Sequence, residues 1–414
     1  MSCHDSDHSK VRQFMTLALI GAMALCALIS PALGALRLLF LLLASAIFLV
    51  LLQFDVSPTF WLPLASLGLS IGVWLLTARE SPARRRMALM AIFSIIGIFA
   101  VLKLPALQTA SADALNIGQT FAWIGFSYLA FRLLHVLLDF RSGRLKQLSL
   151  PQFVLYALFF PAIAAGPIAR VEQFAQALAA AHDAERLTHG AVRLMRGLFK
   201  KFVLADSVAL MALSPQLASD ALTGTLSGTL TLWLALYAYA FRLFWDFSGY
   251  TDIAIGIGIW AGIKLPENFD APYLKRNLQA FWNSWHMTLS AWFRVYFFMP
   301  ASRELLRTPL KAWREGVVLV AQLSTMILIG LWHGAALNFV LWGAWHGIGL
   351  WLFRQWSARA ARWDAFVQAR PPLARLIGVL SVLLTFHYVA LGWVFFALPE
   401  PELIGKVWRG LFGG

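Results

Sequence analysis

The segment GLWHGAALNF, Gly330–Phe339, places a histidine between tryptophan and glycine in a strongly apolar part of the chain. Apolar runs at about 317–332 and 336–353 lie on either side of His333. An ionisable side chain at membrane depth is costly, so it normally faces a cavity, water or a polar partner. His333 is therefore a candidate functional residue between two candidate membrane helices.

The composition of the whole chain is that of a membrane protein. Its 414 residues are 60% hydrophobic and only 13% charged, and the mean hydropathy is +0.69. Long apolar runs recur without the alternation of a transmembrane β-barrel. The sequence predicts an all-α polytopic membrane protein of roughly 10–12 transmembrane or re-entrant helices. The other candidate spans lie at about 14–33, 36–53, 58–77, 87–104, 118–138, 202–213 with its flanks, 226–262 as one or two segments, and 376–397.

The net charge of +14 is distributed in short basic clusters between the apolar runs. No basic face with exposed aromatic residues is evident, so nucleic acid is not an expected partner. The positive-inside rule places the clusters in the cytoplasm, with the N-terminus outside the inner membrane. The clusters are Arg79/Arg84/Arg85/Arg86, Arg141/Arg144/Lys146, Arg303/Arg307/Lys311/Arg314 and Arg354/Arg359/Arg362/Arg370/Arg375.

One apolar segment, FVLYALFFPAIAAGPIAR (Phe153–Arg170), has basic residues on both sides. If both flanks are cytoplasmic, the segment enters the membrane and returns. Pro161, Gly166 and Pro167 are residue types that interrupt a helix, and interrupted backbone at that depth must be sheltered by protein or water. The pattern predicts a broken helix beside a cavity.

Five histidines, His135, His286, His333, His346 and His387, lie in or beside apolar runs. For isolated residues such as His135 and His387, a hydrogen-bonded core position is favoured. His286 and His333 differ because tryptophans and polar residues surround them. A neutral histidine in a dry pocket can take a proton from a hydroxyl group, and a second one can orient the nucleophile or stabilise an oxyanion.

Two other features bear on the chemistry. Arg242 and Asp246 are four residues apart on one helix face and are expected to pair, either structurally or within a site. Ser248 and Gly249 interrupt the following run and could open it at a cavity. The spacing of the histidines does not fit a zinc motif, so no metal is expected.

The blocks GFSYLAFRLLHVLLDF, GLFKKFVLAD, FWDFSGYTDIAIGIG, FWNSWHMTLSAWFRVYFF and GLWHGAALNFVLWGAWHG occur in an order that resembles the membrane-bound O-acyltransferase family. The bacterial alginate O-acetylase and teichoic-acid D-alanyl transfer branch is the most similar. The resemblance implies one membrane domain, 1–414, with N-terminal helices over 1–120 and a core over 121–400. It further implies a ring of helices around an acyl-transfer tunnel.

The resemblance also assigns roles to residues. His333 would be the catalytic base and His286 the second catalytic position. The expected substrate-binding residues are Trp282, Asn283, Trp285, Trp332, Asn338, Phe339, Asp246 and Ser248. The aromatic members of this set would exclude the water that otherwise hydrolyses the acyl donor.

The implied reaction needs no bound cofactor. An acetyl or D-alanyl type group would pass from a cytoplasmic thioester donor, the phosphopantetheine of an acyl carrier protein or acyl-CoA. The acceptor would be a hydroxyl of an extracytoplasmic polysaccharide or other polymer, reached directly or through a separate acyltransferase outside the membrane. Two alternatives stay open: a transporter or flippase of a lipid-linked or acyl substrate with a histidine proton relay, and a scaffold without chemistry.

Overall fold

The computed structural model describes residues 3–56, 61–104, 107, 123–145, 148–179 and 185–414. All regular secondary structure in these ranges is helical, as the sequence predicts. The chain forms two compact units, and each is described separately below. Unit 1 comprises Met1–Leu198 and Tyr250–Pro266, and unit 2 comprises Phe199–Gly249 and Glu267–Gly414.

Within the described ranges, unit 1 contains eight helices and the end of the eleventh. They are α1 Cys3–Ile29, α2 Arg37–Val56, α3 Trp61–Thr77, α4 Pro82–Lys103, α5 Phe126–Arg141, α6 Leu150–Leu158, α7 Val171–Ala179 and α8 Arg186–Leu198. Short 3-10 segments cover Ser30–Leu36 and Phe160–Ala162.

Unit 2 contains the later helices. They are α9 Asp206–Ala209, α10 Pro215–Ala221, most of α11 Leu226–Trp260, α12 Leu278–Trp282, α13 Met287–Phe293, α14 Met299–Leu305, α15 Arg314–His333, α16 Leu337–Arg359, α17 Ala361–Gln368, α18 Pro371–Ala397 and α19 Pro401–Leu411. Short π-type stretches cover Phe199–Ala205 and Arg294–Phe298, and short 3-10 stretches cover Pro272–Leu274 and Pro309–Trp313.

Four helical segments among the described residues are long and apolar enough to cross a membrane. They are Thr16–Gln53, Pro82–Lys103, Pro309–His333 and Pro371–Ala397. Two further apolar helical segments, Trp61–Thr77 and Leu150–Ala162, are shorter. The prediction of an all-α polytopic membrane protein is confirmed, while the ring of helices remains a prediction of the resemblance.

Two expectations about individual spans need correction. The run 226–262 forms the single helix α11, which continues through Ser248 and Gly249 instead of opening there. The segment 202–213 is helical only as far as Ala209, through a π-type stretch and α9, and it is not among the four long apolar segments. Some predicted features lie outside the described residues. They are the first residues of the runs 58–77 and 118–138, Lys146, and the predicted boundary at 120 between the N-terminal helices and the core.

The predicted broken helix is present in unit 1. Helix α6 ends at Leu158, a 3-10 turn follows, and the chain is then non-helical as far as Arg170. The buried guanidinium of Arg132 donates hydrogen bonds to Ala157 O at 2.9 Å and Ala162 O at 2.8 Å. Arg132 thus supplies partners for carbonyl groups that the interrupted helix leaves free, as buried backbone requires.

In unit 2, α15 and α16 form a closely packed hairpin. Gly343 and Gly347 on α16 lie against the backbone of α15, so that a Cβ built at Gly343 would lie 2.5 Å from Met326 O. The small-xxx-small spacing of these glycines lets two membrane helices approach closely. This hairpin holds the end of α15, and therefore His333, in place.

Candidate active site

His333 is the last residue of α15, and Gly334 continues the chain in an extended conformation. The imidazole is half-buried among aromatic rings, with centroid distances of 4.5 Å to Trp332, 4.8 Å to Phe396 and 5.6 Å to Trp342. The C-terminal end of a helix carries partial negative charge, which favours a cation. The helix end therefore places partial negative charge beside His333.

His286 lies in the turn between α12 and α13 and has a left-handed backbone conformation, with φ 42° and ψ 53°. This conformation costs a residue with a side chain about 1–2 kcal/mol, so the surroundings must enforce it. Asn268 does so. Its backbone carbonyl accepts from Met287 N at 2.9 Å, and its Oδ1 accepts from Thr288 N at 3.2 Å and Thr288 Oγ1 at 2.7 Å.

The two histidines line one small cavity in unit 2, here called the inner cavity, with a volume of about 40 Å³. Four tryptophans and two phenylalanines form much of its wall. The lining residues are Leu243, Phe247, Trp282, Trp285, His286, Leu289, Ile329, His333, Trp342, Trp393 and Phe396. The predicted pairing of His333 with His286 and two flanking tryptophans is thus present in the tertiary structure.

Four particular ring nitrogens at the inner cavity lack a hydrogen-bond partner in the part of the chain that the structure describes. Among the described residues, none bonds to either ring nitrogen of His286, to Trp282 Nε1 or to Trp342 Nε1, although all four atoms are buried. Most buried polar groups in proteins are paired, and each unpaired one costs about 1–3 kcal/mol. These groups are therefore available to a substrate that brings its own polar atoms.

A larger cleft of about 250 Å³, here called the outer cleft, adjoins the inner cavity. Trp282 and Ile329 line both spaces. The other residues of the outer cleft are Gln279, Asn283, Ser290, Arg294, Phe298, Val318, Gln322, Thr325, Met326, Leu350 and Arg354. The cleft follows one face of α15 from Val318 to Ile329, and the next turn of the same helix carries His333.

The outer cleft is more polar than the inner cavity. Arg294 donates a short hydrogen bond to Asn283 Oδ1, and Arg354 lies 3.4 Å from a carboxylate oxygen of Glu315. Both arginine side chains line the cleft together with the amide groups of Gln279 and Gln322. The cleft therefore offers positive charge and hydrogen-bonding groups to an elongated polar ligand.

The other predicted substrate-binding residues differ in how close they lie to the two histidines. The Trp332 ring lies 5.9 Å from that of His286, and the Phe339 ring lies 6.3 Å from that of His333, so both are near the site. Asn338 is buried, and its Nδ2 donates to Phe395 O at 3.0 Å. This bond ties the start of α16 to α18 behind the histidine.

Asp246 and Ser248 on α11 line neither space. Asp246 pairs with Lys201 Nζ at 2.5 Å, so the expected ion pair with Arg242 is wrong. Lys201, on another element, pairs with Asp246 in place of Arg242. On a helix, an ion pair four residues apart is weaker when the acid follows the base, as Asp246 follows Arg242. Ser248 is buried, and its hydroxyl has no partner within the described parts of the chain.

His387 and His135 are hydrogen-bonded, as the sequence favoured, although only His135 is fully buried and His387 is half-buried. His387 Nδ1 donates to Leu383 O at 2.7 Å, and its Nε2 accepts from Tyr237 Oη at 2.8 Å. In unit 1, His135 Nε2 accepts from Val171 N at 3.3 Å, and its Nδ1 lies 3.1 Å from Tyr156 Oη.

Asp139 and Glu172 lie close enough to His135 to hold a metal ion in common with it. Arg144 and Arg170, however, approach the Asp139 carboxylate at 3.1 and 3.4 Å. Because two guanidinium groups already neutralise this carboxylate, the cluster fits a structural ion-pair network better than a cation site.

Several residues of the site carry no sequence signal of their own. Phe247, Leu289, Ile329, Trp342 and Phe396 line the inner cavity, yet each resembles an ordinary apolar residue of a membrane helix. The aromatic density around the W-H-G block is the one signal that points to Trp342. It lies on the turn of α16 before His346, and their rings are 5.1 Å apart.

The family model for membrane-bound O-acyltransferases matches residues 40–391. The chain belongs to this family. The match begins well before the region around Gly125 where the family's motifs start, so most of the first 120 residues are also part of it. Membership favours an acyltransferase over a transporter or flippase, and over a scaffold that has lost the chemistry. The two histidines that the resemblance to this family singled out, His333 and His286, are the ones that line the inner cavity.

The chain is similar to three kinds of named acyltransferase. A "Teichoic acid D-alanyltransferase" of Streptococcus thermophilus is 34% identical over 71% of this chain and 73% of its own length. A "Probable alginate O-acetylase AlgI" of Pseudomonas syringae pv. tomato is 30% identical over 91% of this chain and 70% of its own length. A "Peptidoglycan O-acetyltransferase" of Helicobacter pylori is 35% identical over 64% and 48%, respectively.

Proposed function

We propose that this membrane-bound O-acyltransferase moves a short acyl group from a cytoplasmic thioester to a hydroxyl of an extracytoplasmic envelope polymer. The observation that carries the proposal is the inner cavity, which both histidines line and which adjoins the outer cleft through Trp282 and Ile329. All three named relatives act on envelope polymers, which supports the class of acceptor.

In the proposed reaction, His333 takes the proton of the acceptor hydroxyl as the oxygen attacks the thioester carbonyl carbon. The carbon–sulfur bond then breaks, and the departing thiolate receives the proton. The ring N–H groups of His286, Trp282 and Trp342 are candidates to stabilise the negative carbonyl oxygen between these steps, because no described protein group occupies them. The aromatic wall keeps water from the thioester.

The outer cleft is the proposed place of the thioester donor. A phosphopantetheine arm, common to acyl carrier protein and coenzyme A, has a phosphate, two amides and a terminal sulfur. Arg294 and Arg354 suit the phosphate, and Gln279 and Gln322 suit the amides. The basic cluster before α15 supports cytoplasmic entry, with the acceptor approaching His333 from the other side.

Replacing His333 by alanine tests the assignment. General-base catalysis contributes about 10²–10⁴-fold, so we expect His333→Ala to reduce ester-linked acyl groups on the envelope to background. The measurement is mass spectrometry of the groups that mild alkali releases from envelopes of cells carrying each variant. His189→Ala is the matched control, because His189 is exposed and 3.4 Å from Glu185 in unit 1.

Immunoblotting must show equal amounts of the two variants in the membrane. Unchanged ester content in His333→Ala at normal protein level would contradict the assignment of this residue. Loss of esters in both variants would indicate that the effect is not specific to the site.

A further inference from the structure

We propose that α17 and the residue cluster around it form a binding site for the headgroup of an anionic phospholipid at the membrane surface. The site is here called the α17 patch and comprises Arg362, Trp363, Phe366 and Arg370, all of which are exposed. These residues line neither the inner cavity nor the outer cleft, so the proposal does not depend on the acyltransferase reaction.

The position of α17 in the chain places the patch at the membrane surface. Helix α17 ends at Gln368 and packs against α18, which begins at Pro371. Among the described residues, α18 is one of the four segments long and apolar enough to cross a membrane. A helix of 8 residues next to the start of a span cannot extend far from the bilayer, because each helical residue adds only about 1.5 Å.

The guanidinium groups of the patch are available to an anion. Within the described residues, the side chain of Arg362 forms no ion pair or hydrogen bond. Arg370 stacks on the Phe366 ring, with Cζ 3.8 Å from the ring centroid, and its Nη1 donates to Phe366 O at 2.9 Å. These contacts hold the Arg370 guanidinium in one orientation and leave its other nitrogens without a partner in the described part of the chain. Such a fixed fork of N–H groups matches the oxygens of a phosphate.

Two aromatic rings give the patch the character of a membrane interface. Trp363 and Phe366 are 43% and 46% exposed, and their rings are stacked with centroids 5.9 Å apart. Arg362 lies four residues before Phe366 and therefore on the same face of α17. Aromatic and basic residues together are typical of helices that lie at the level of the lipid headgroups. The aromatic pair thus favours a lipid over a soluble anion or an acidic protein.

The charge around the patch favours an anionic headgroup. From Arg354 to Arg375 the chain carries five arginines and a single carboxylate, that of Asp364. Each basic residue close to an anionic membrane surface strengthens the attraction by about fivefold. Phosphatidylcholine has a phosphate but also an ammonium group, so it lacks this net attraction. Phosphatidylglycerol has a phosphate alone and is the suitable probe.

The proposal is tested by hydrogen–deuterium exchange of the full chain in phosphatidylcholine nanodiscs that contain increasing mole fractions of phosphatidylglycerol. The measured quantity is the mole fraction of phosphatidylglycerol at which the slowing of exchange in the peptide 361–370 is half complete. We expect Arg362→Gln to raise this mole fraction about fivefold, because the variant loses one charge. The Arg362 side chain has no hydrogen bond or ion pair to lose within the described residues, so we expect this variant to fold normally.

Arg409→Gln is the matched control, because this exposed arginine on α19 follows the opposite end of α18 and its replacement removes the same charge. We expect it to leave the mole fraction at the wild-type value. Equal shifts in the two variants would overturn the proposal, since they would reflect the overall charge of the protein. Unchanged exchange of wild-type 361–370 at every mole fraction would overturn it as well.

Two further samples in pure phosphatidylcholine nanodiscs separate the lipid from other anions. One contains glycerol phosphate, which is the soluble counterpart of the headgroup, and the other contains purified acyl carrier protein. We expect neither to slow exchange in the peptide 361–370. Slower exchange with glycerol phosphate would identify a site for soluble phosphates, and slower exchange with the carrier would identify a protein-docking surface. Either result would overturn the assignment to a lipid.

Discussion

At the scale of single residues, the site depends on two histidines held in different ways. His333 ends a long helix, where regular backbone defines its position. His286 has a left-handed conformation that is unfavourable by itself. The fully buried side chain of Asn268 accepts both donors of Thr288 and so fixes the turn that presents His286.

Asn268→Ala removes the acceptor for these two donors and leaves them buried. We expect unfolding to become easier by about 1–3 kcal/mol and the transfer rate to fall because the His286 ring loses its position. The decisive measurement is a double-mutant cycle of transfer rate with His286→Ala. If Asn268 acts through His286, adding Asn268→Ala to His286→Ala produces little further loss. Additive losses would show that Asn268 acts on stability alone.

At the scale of helices, the α15–α16 hairpin sets the distance between the site and its wall. His333 lies on α15, while Trp342 lies on α16, and their rings are 5.6 Å apart. Gly343 and Gly347 permit this approach because a side chain there would meet the α15 backbone. The alternation of glycine with large aromatic residues along α16 is therefore a packing feature that the site requires.

Gly343→Ala tests this packing. A Cβ would lie 2.5 Å from Met326 O and 2.7 Å from Ile327 Cα, so the helices must separate. Overpacking of this kind costs about 1–3 kcal/mol, and we expect a lower melting temperature together with reduced acyl transfer. Gly405→Ala on α19 is the control, because nothing lies within 4 Å of its Cβ. Equal melting temperatures for both variants would refute the packing role.

At the scale of the whole molecule, the basic clusters predict how the chain crosses the membrane. The positive-inside rule places the loop after α16 in the cytoplasm and the turn after His333 outside. In a chain with Cys3→Ser and Cys26→Ser, we expect Arg362→Cys to react with a membrane-impermeant maleimide only after the membrane that holds the protein is opened. Ala336→Cys should react in intact spheroplasts. The opposite pattern would reverse the proposed sides of donor and acceptor.

Much of the site was predictable because its residues are unusual for their setting. A histidine or a polar residue in an apolar run is conspicuous, and His333, His286, Trp282, Trp285 and Asn283 all line the inner cavity or the outer cleft. Asp246 and Ser248 were equally conspicuous but line neither. Polarity in a membrane helix indicates a partner, yet it does not say whether that partner is a substrate or, as for Asp246, a lysine.

The sequence by itself determined the helical membrane class and the broken helix after α6, and it singled out the two histidines that line the inner cavity. Apolar composition, a proline within a helix and a rare ionisable residue each have effects near their own position, so they can be recognised from the sequence alone. Only the tertiary structure decided which of many similar apolar side chains wall the inner cavity, that Asn268 shapes the turn of His286, and that Ile329 lines both spaces. These properties arise from close packing between distant segments, which no single stretch of sequence encodes.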